Sequence, residues 1–197
     1  MAALTLFIFC LLVSTTIAIE DFQNTQVIDK EERPAFQALP LQLNADRKQF
    51  YFHGYFHEIF TGPNNTTTTA VSPNPDFPNF GEISIFDVPL WGYLNGTNLI
   101  ARCQGAGIQS DQNTLGWHLS FNIVFELPAL KGSTLMVMGR ALQLTSPREF
   151  AIVGGTGVFS LATGQMYGRR LSSPDENELW IEFKIFGYYT PMKKPDW

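Results

Sequence analysis

The chain has 197 residues and a formal net charge of −5, and its lysine and arginine residues are scattered rather than clustered. An acidic chain without a basic patch is a poor binder of nucleic acid, because affinity for the phosphate backbone needs clustered cations. Beyond the apolar N-terminal segment, no stretch is apolar for long enough to span a bilayer, so we expect no membrane partner.

The chain opens with an uncharged, apolar segment, residues 1–18, MAALTLFIFCLLVSTTIA. Thr16 and Ala18 provide small residues at a cleavage site, and acidic residues follow, which is typical of a secretory signal peptide and not of a spanning helix. The sequence therefore predicts a secreted protein that is cleaved after Ala18. Residues 19–47 are polar, aperiodic and contain two prolines, and we expect them to form a mobile N-terminal arm.

From residue 48 onward, runs of alternating, β-branched and aromatic residues are separated by turn residues. These runs predict eight strands: 48–61, 80–88, 97–109, 115–127, 133–140, 148–153, 157–167 and 178–189. No run keeps a helical period for long enough to predict helices that cover a sheet. The pattern indicates an all-β domain over residues 48–190, either an antiparallel barrel or a sandwich, with a short tail at 191–197. An eight-stranded barrel can just hold one small ligand.

The longest predicted loop, residues 62–79, is rich in proline and threonine, and loops of this size are usually functional or disordered. Such a loop is able to fold over one mouth of a barrel. It contains overlapping N-glycosylation sequons at Asn64 and Asn65, and a third sequon lies at Asn95. Without the signal peptide, Cys103 is the remaining cysteine, and its apolar surroundings predict a buried, unreactive thiol.

The first predicted strand has a face on which four phenylalanines, Phe50, Phe52, Phe56 and Phe60, lie in line with Glu58. If this face lines a barrel, apolar surroundings raise the pKa of Glu58 and allow it to act as a general acid near neutral pH. The alternation by itself leaves the opposite orientation open, with Glu58 at a wet rim. The phenylalanines favour the inward orientation.

Two further charged residues are candidates for the same pocket. Asp87 shares a strand face with two isoleucines, and this face points either into the barrel or out to solvent. The alternative is that Asp87 caps a turn before Pro89. Arg148 opens a strand, where an arginine can pair a carboxylate or hold a phenol oxygen, with an ordinary surface role as the alternative. His53 and His57 lie about 13 Å apart along one strand, too far to ligate one ion together, so no metal site is predicted.

Six segments make the chain resemble the plant dirigent proteins. They are YFHEI (55–59), FGEISIFDVPL (80–90), ARCQG (101–105), KGSTLMVMGR (131–140), REFAIVGGTGVFSLATG (148–164) and WIEFKIFGY (180–188). They occur in the family order and cover nearly all of residues 50–190. The resemblance implies an eight-stranded antiparallel barrel of the dirigent and allene-oxide-cyclase type, assembled as a trimer, with a pocket inside each barrel. It also implies a secreted glycoprotein of the apoplast that has no metal or organic cofactor.

Dirigent proteins steer the coupling of phenoxy radicals made by a separate oxidase, such as a laccase or a peroxidase, and some relatives close a ring on a quinone methide. The resemblance thus implies a phenolic ligand from phenylpropanoid metabolism of the lignan or lignin type. Glu58 corresponds to the family's pocket aspartate and Arg148 to its pocket arginine, so both are assigned catalytic roles. Phe52, Phe56 and Asp87 are expected to line the substrate pocket. Whether the protein is itself an enzyme stays open at this point.

The chain departs from the family pattern at three positions. Ala141 stands where lignan-forming members have a second acid, Gly107 where they have a tyrosine, and Val88 where they have a second aspartate. These losses motivate another hypothesis, a non-catalytic binding or scaffold module of the cell wall, recruited in defence, with an eroded site. Carbohydrate binding through exposed tryptophans is a weaker third hypothesis.

Overall fold

The computed structural model describes residues 47–76, 80–142, 145–171, 173 and 175–192. The predicted signal peptide, the arm up to residue 46 and the tail from residue 193 lie outside these residues. The strands are β1 Lys48–Ile59, β2 Thr67–Val71, β3 Ile83–Tyr93, β4 Thr97–Gln109, β5 Gly116–Phe125, β6 Thr134–Leu142, β7 Arg148–Thr156, β8 Thr163–Arg170 and β9 Glu178–Tyr189, with a 3-10 helix at Gly157–Phe159. The described part of the chain has no helix with the length and apolarity needed to cross a bilayer.

Eight of these strands close into an antiparallel barrel. They pair in the order β1-β9-β8-β7-β6-β5-β4-β3, and β3 then pairs with β1, with Trp91 opposite Tyr55 and Leu90 opposite Phe56. Closure satisfies backbone groups that the edges of an open sheet would leave unpaired. The predicted all-β class and the eight-stranded barrel are therefore confirmed, and the sandwich is excluded.

β3 changes partner halfway along its length. Its second half pairs with β1, and its first half pairs with β2, where Thr67 lies opposite Phe86. The predicted loop 62–79 thus contains a strand, whose β-branched threonines suit an extended backbone. Pro89 lies where β3 passes from one partner to the other, so its missing N–H falls between the two ladders. For this reason β3 continues past the predicted end to Tyr93.

One end of the barrel is filled by aromatic side chains. The 3-10 helix after β7 buries Phe159 in this end, leaving it 2% exposed. The centroid of its ring lies 4.9 Å from that of Phe125, 5.4 Å from Phe50 and 5.7 Å from Phe52. We call these four phenylalanines the aromatic floor, because their packed rings fill this end of the barrel.

The turn before the floor lies later than the sequence predicts. The predicted strands 148–153 and 157–167 leave residues 154–156 between them, but β7 continues to Thr156 and β8 begins at Thr163. Gly157 has a φ of +64°, which glycine adopts without strain, and a Cβ there would lie 2.6 Å from Ser133 Oγ. The chain therefore turns at Gly157, where no other residue fits well.

Candidate functional site

The half of the barrel away from the aromatic floor contains a cavity of about 700 Å³. Its apolar wall is formed by side chains from β1, β3, β5, β7 and β9: Phe56, Phe86, Trp117, Leu119, Phe121, Phe150, Ile181 and Phe183. Its polar lining consists of charged and hydroxyl-bearing side chains, including Glu58, Thr67, Thr69, Glu82, Ser84, Arg148, Arg170 and Glu176. A cavity of this size, with aromatic walls and a few polar groups, suits one flat aromatic ligand.

The alternation of β1 directs Glu58 into this cavity. Phe50 and Phe56 are buried on the inward face of the strand, whereas Tyr51 on the outward face is 61% exposed. Glu58 shares the inward face, which confirms the predicted orientation of the strand. Phe60 lies beyond the last residue of β1 and is 41% exposed, so it contributes to the mouth of the cavity rather than to the packed wall.

The carboxyl group of Glu58 is oriented and partly desolvated. Thr67 Oγ1 donates a hydrogen bond of 2.5 Å to Glu58 Oε1. Burial raises the pKa of Glu58 above its usual range, while the Thr67 hydrogen bond and the positive charge of Arg148 oppose this rise. Burial is the largest of the three effects, so the acid form is favoured relative to a glutamate in water. Such a carboxylic acid is able to donate its proton to a bound ligand.

Arg148 faces the cavity from the first position of β7. Its Nε donates a hydrogen bond of 3.2 Å to the carbonyl oxygen of Leu142 at the end of β6, which orients the guanidinium. Burial lowers the pKa of Arg148, the charge of Arg170 lowers it further, and the charge of Glu58 acts in the opposite direction. An arginine stays charged in proteins. The cavity therefore combines a cation with an acid of raised pKa, and both can contact the oxygen of a phenolic ligand.

The structure separates the two phenylalanines expected in the pocket. Phe56 lines the cavity. Phe52 belongs to the aromatic floor, where its ring centroid lies 4.8 Å from that of Phe125. The difference follows from their positions along β1, because residues near the start of the strand point into the filled end and residues near its end point into the open half.

The expectation that Asp87 lines the pocket is corrected by the structure. Asp87 lies on the outer face of β3, where its side chain is 51% exposed and accepts a hydrogen bond of 2.6 Å from Arg102 Nε. The alternation of β3 turns Phe86 and Val88 inward, and Asp87 between them must point outward. It is part of a surface ion pair, not of the cavity.

The two histidines of β1 lie on the opposite face from Glu58 and pair with carboxylates of β9. His53 Nε2 lies 2.9 Å from Glu182 Oε1, and His57 Nε2 lies 3.0 Å from Glu178 Oε2. These contacts give both histidines a structural partner on the outside of the barrel.

The predicted glycosylation sequons lie on exposed segments. Asn64 and Asn65 are exposed between β1 and β2, close to the mouth, and Asn65 Nδ2 donates a hydrogen bond of 2.9 Å to the carbonyl oxygen of Thr67. Asn95 is exposed in the turn between β3 and β4. All three asparagines are therefore accessible, and their modification stays a prediction.

Cys103 is completely buried on β4. Burial raises the pKa of its thiol to about 12, the negative charge of Asp87 adds to the rise, and the positive charge of Arg102 opposes it. The predicted burial of Cys103 is confirmed. At physiological pH the reactive thiolate is strongly disfavoured.

Sequence reasoning missed a carboxylate of the cavity, Glu82. The signal was present, since Glu82, Ser84, Phe86 and Val88 alternate on the inward side, but Ile83 and Ile85 make the opposite face of the strand equally apolar in sequence. Arg170 was also missed, because the predicted strand ended before it. Both residues line the cavity.

The positions at which the chain departs from the dirigent pattern lie in or beside the cavity. Ala141 and Gly107 line it, and Val88 is fully buried. A Cβ on Gly107 would lie 2.8 Å from Leu119 Cδ2 and 3.1 Å from Trp117 Cε3. Leu119 and Trp117 therefore occupy space that a side chain at position 107 would need, and the wall here is apolar.

Comparisons with known proteins agree with this architecture. A family model described as "Dirigent-like protein" matches residues 49–186. Dirigent protein 11 of Arabidopsis thaliana is 34% identical over 138 residues, 68% of this chain and 72% of that protein. Pterocarpan synthase 1 of Glycyrrhiza echinata is 30% identical over 157 residues, 76% of this chain and 84% of that protein. The solved structure of the pterocarpan synthase dirigent protein GePTS1 superposes with a TM-score of 0.69 at 28% identity, over 76% of this chain and 90% of that one. With its closed barrel, its inward acid and its aromatic cavity, the chain belongs to the dirigent family.

Proposed function

We propose that the protein binds a phenolic small molecule in its barrel and directs the formation of a new bond to one face of it, so that one stereoisomer is produced. The observation that carries this proposal is that Glu58, an acid of raised pKa, and Arg148 both line one aromatic cavity of about 700 Å³. Similar proteins named pterocarpan synthase support a ring-closing reaction.

The chemistry that these groups suit best is the cyclisation of a quinone methide. Glu58 in its acid form donates a proton to the quinone methide oxygen while a hydroxyl group of the same molecule attacks the electrophilic carbon. The π electrons move to this oxygen, which becomes a phenol, and a new C–O bond closes the ring. The proton lost by the attacking hydroxyl group is released, and an equivalent proton later restores the acid form of Glu58. Arg148 binds the oxygen on which charge develops and holds the ring in a fixed orientation beside Glu58. The reaction is an isomerisation and consumes no oxidant.

The cavity needs to supply little energy to select one product. A difference of about 1–2 kcal/mol between two transition states already favours one enantiomer by roughly an order of magnitude. Fixing the ring against an aromatic wall and its oxygen against Arg148 removes rotational freedom, and orientation effects of this kind are worth several kcal/mol. A site with modest catalytic power is therefore able to select one stereoisomer.

A second candidate function is the steering of radical coupling in lignan or lignin biosynthesis, with phenoxy radicals supplied by an external laccase or peroxidase. Membership of the dirigent family supports it, whereas Ala141 counts against it, because lignan-forming members carry a second acid at that position. The non-catalytic alternative, a binding module of the cell wall or of plant defence, is motivated by the same loss and by Gly107. One experiment can separate these three functions.

We further propose that the protein is a secreted, glycosylated, trimeric protein of the apoplast. The N-terminal segment and the exposed sequons at Asn64 and Asn95 support secretion and glycosylation. The outer faces of β6, β7 and β9 carry exposed apolar side chains, and such faces favour subunit contacts. They are Met136, Met138, Val153 and Phe186.

The test uses the purified protein in two parallel reactions. In the first, a quinone methide is generated from a 4-hydroxybenzyl alcohol that bears a second, tethered hydroxyl group. In the second, coniferyl alcohol is oxidised by a laccase. Chiral chromatography measures the enantiomeric excess of the products with the wild type, with Glu58→Gln and without protein.

We expect an enantiomeric excess in the first reaction that is lost in Glu58→Gln. An excess in the second reaction alone would instead identify the radical-coupling function. Racemic products in both reactions, together with tight binding of phenols by wild type and variant alike, would refute steering and leave the binding module.

A further inference from the structure

The cavity contains a second carboxylate that is oriented by hydroxyl groups. Glu82 directly precedes β3 and lines the cavity. Its Oε1 accepts a hydrogen bond of 3.1 Å from Thr69 Oγ1 and another of 3.1 Å from Ser84 Oγ. Within the described part of the chain its Oε2 has no hydrogen-bond partner, so this oxygen is available to a ligand.

One short strand orients both carboxylates. Thr67 and Thr69 are two residues apart on β2, so their side chains project from the same face of the strand, about 7 Å apart. Thr67 donates to Glu58 at 2.5 Å and Thr69 donates to Glu82 at 3.1 Å. β2 thereby presents two carboxyl groups to the same cavity, one from β1 and one from the start of β3.

The position of Glu82 is stabilised by pairing on both sides of it. β2 is hydrogen-bonded to β3, with Thr69 opposite Ser84, so both hydroxyl groups that hold Glu82 come from one pair of neighbouring residues. The backbone of Glu82 accepts a hydrogen bond of 2.9 Å from the N–H of Gln109. A side chain fixed in this way loses little entropy on contacting a ligand, as a catalytic group should.

The surroundings of the two carboxyl groups suit different tasks. Glu58 lines the cavity together with Phe56, and burial favours its acid form. Glu82 is half-buried, and its hydrogen bond with Thr69 is exposed to solvent. The remaining charged side chains that line the cavity are Arg148, Arg170 and Glu176. Glu176 is exposed in the turn between β8 and β9, and within the described residues no threonine or serine hydroxyl donates a hydrogen bond to its carboxylate.

We propose that Glu82 is the general base of the cyclisation, accepting the proton of the attacking hydroxyl group while Glu58 donates a proton to the quinone methide oxygen. This proposal rests on the proposed function. It places the substrate in a narrower class, a quinone methide with its own hydroxyl nucleophile. It also gives the cavity a second working carboxylate, although position 141 is an alanine.

The proton balance of this step closes. The O–H bond of the nucleophile breaks and its proton moves to Glu82, the C–O bond forms, and the π electrons of the quinone methide move to its oxygen, which takes the proton of Glu58. The two carboxyl groups have then exchanged protonation states. A proton returns from Glu82 to Glu58 through solvent after product release, so the protein is regenerated.

The test compares variants of Glu82 with a matched removal of a carboxylate outside the barrel. Glu149→Gln is the control, since Glu149 lies on the outer face of β7 and binds Gln165 at 2.8 Å. For Glu82→Gln we expect kcat for the quinone methide cyclisation to fall about 100-fold or more, with substrate binding retained. Glu149→Gln should keep the rate of the wild type.

Two further measurements separate a base from a residue that only supports the fold. In Glu82→Ala, added acetate should restore part of the lost rate, because a free carboxylate can replace the missing one; acetate should leave the wild type unchanged. Thr69→Val should lower kcat, and Thr69→Ser, which keeps the hydroxyl group, should preserve it.

An unchanged kcat in Glu82→Gln, with wild-type cyclisation intact and Glu58→Gln inactive, would overturn the role of Glu82 and leave the proposed function standing. The same holds if acetate rescues nothing in Glu82→Ala. Racemic cyclisation by the wild type itself would overturn both proposals together.

Discussion

Replacing Phe159 by alanine should destabilise the barrel by about 3–5 kcal/mol, the usual cost of deleting a fully buried phenylalanine. Phe159 is 2% exposed, and its ring packs against Phe50, Phe52, Phe125 and Tyr189, with centroids 4.9–5.7 Å away. Alanine would leave a void that these rings cannot fill without leaving their own positions. Each aromatic contact adds about 0.5–1.5 kcal/mol beyond the buried area, which argues for the upper part of the range.

This loss is large compared with the total stability of a domain, which is about 5–15 kcal/mol. For a domain of this size, each kcal/mol lowers the melting temperature by roughly 2–4 °C, so Phe159→Ala should melt roughly 6–20 °C below the wild type. Equilibrium unfolding in urea measures the free energy, and differential scanning calorimetry measures the melting temperature.

The matched control is Phe60→Ala, which removes the same side chain from the mouth of the cavity. Phe60 is 41% exposed and lies past the end of β1, so its loss should cost less than about 1 kcal/mol. Equal destabilisation by the two variants, or a loss below about 1 kcal/mol for Phe159→Ala, would show that the aromatic floor does not hold the barrel as we describe.

Three other outcomes follow from the charges and the thiol. Because burial raises the pKa of Glu58, the stability that Glu58 contributes is present below its ordinary pKa of 4.5 and is lost as pH rises through the raised pKa of the folded state. In Glu58→Gln the free energy of unfolding should fall less with rising pH, and at neutral pH this variant should unfold at a higher urea concentration than the wild type. An equal fall in the wild type and in Glu58→Gln would contradict this prediction. Cys103, with its pKa near 12, should resist alkylation in the native protein and react fully once unfolded, as mass spectrometry would record. Asp87→Ala breaks an exposed ion pair with Arg102, so it should change the free energy of unfolding by at most about 1 kcal/mol and leave the enantiomeric excess of products unchanged; a change in enantiomeric excess would return Asp87 to the site.

Much of the barrel could be predicted because its strands alternate clearly. The alternation of β9 placed it correctly to the residue, and that of β1 identified the face that carries Glu58. The orientation of Asp87 could not be obtained in the same way, since β3 carries large apolar side chains on both faces. Which face turns inward depends on the pairing of β3 with β1 and β4, a contact between distant parts of the chain that local alternation does not contain.

The missed parts of the site have a common physical cause. Glu82, Thr67 and Thr69 come together because β2 adds to the first half of β3, and β2 lies in a segment whose prolines and sequons favour a loop. The burial of Phe159 was missed for a related reason. A strand was predicted from residue 157 onward, whereas Gly157, with its positive φ, begins a 3-10 helix that buries Phe159.

Because the aromatic floor fills one end of the barrel, the cavity opens toward the other end. A ligand would enter and leave past the charged groups at the mouth, so one end of the bound molecule would face the aromatic wall while its other end stays near Glu82 and Arg170. The two ends of one molecule would thus lie in unlike environments, one apolar and one charged. This difference would fix which way round the molecule lies in the barrel, and a fixed orientation is what the selection of one stereoisomer requires.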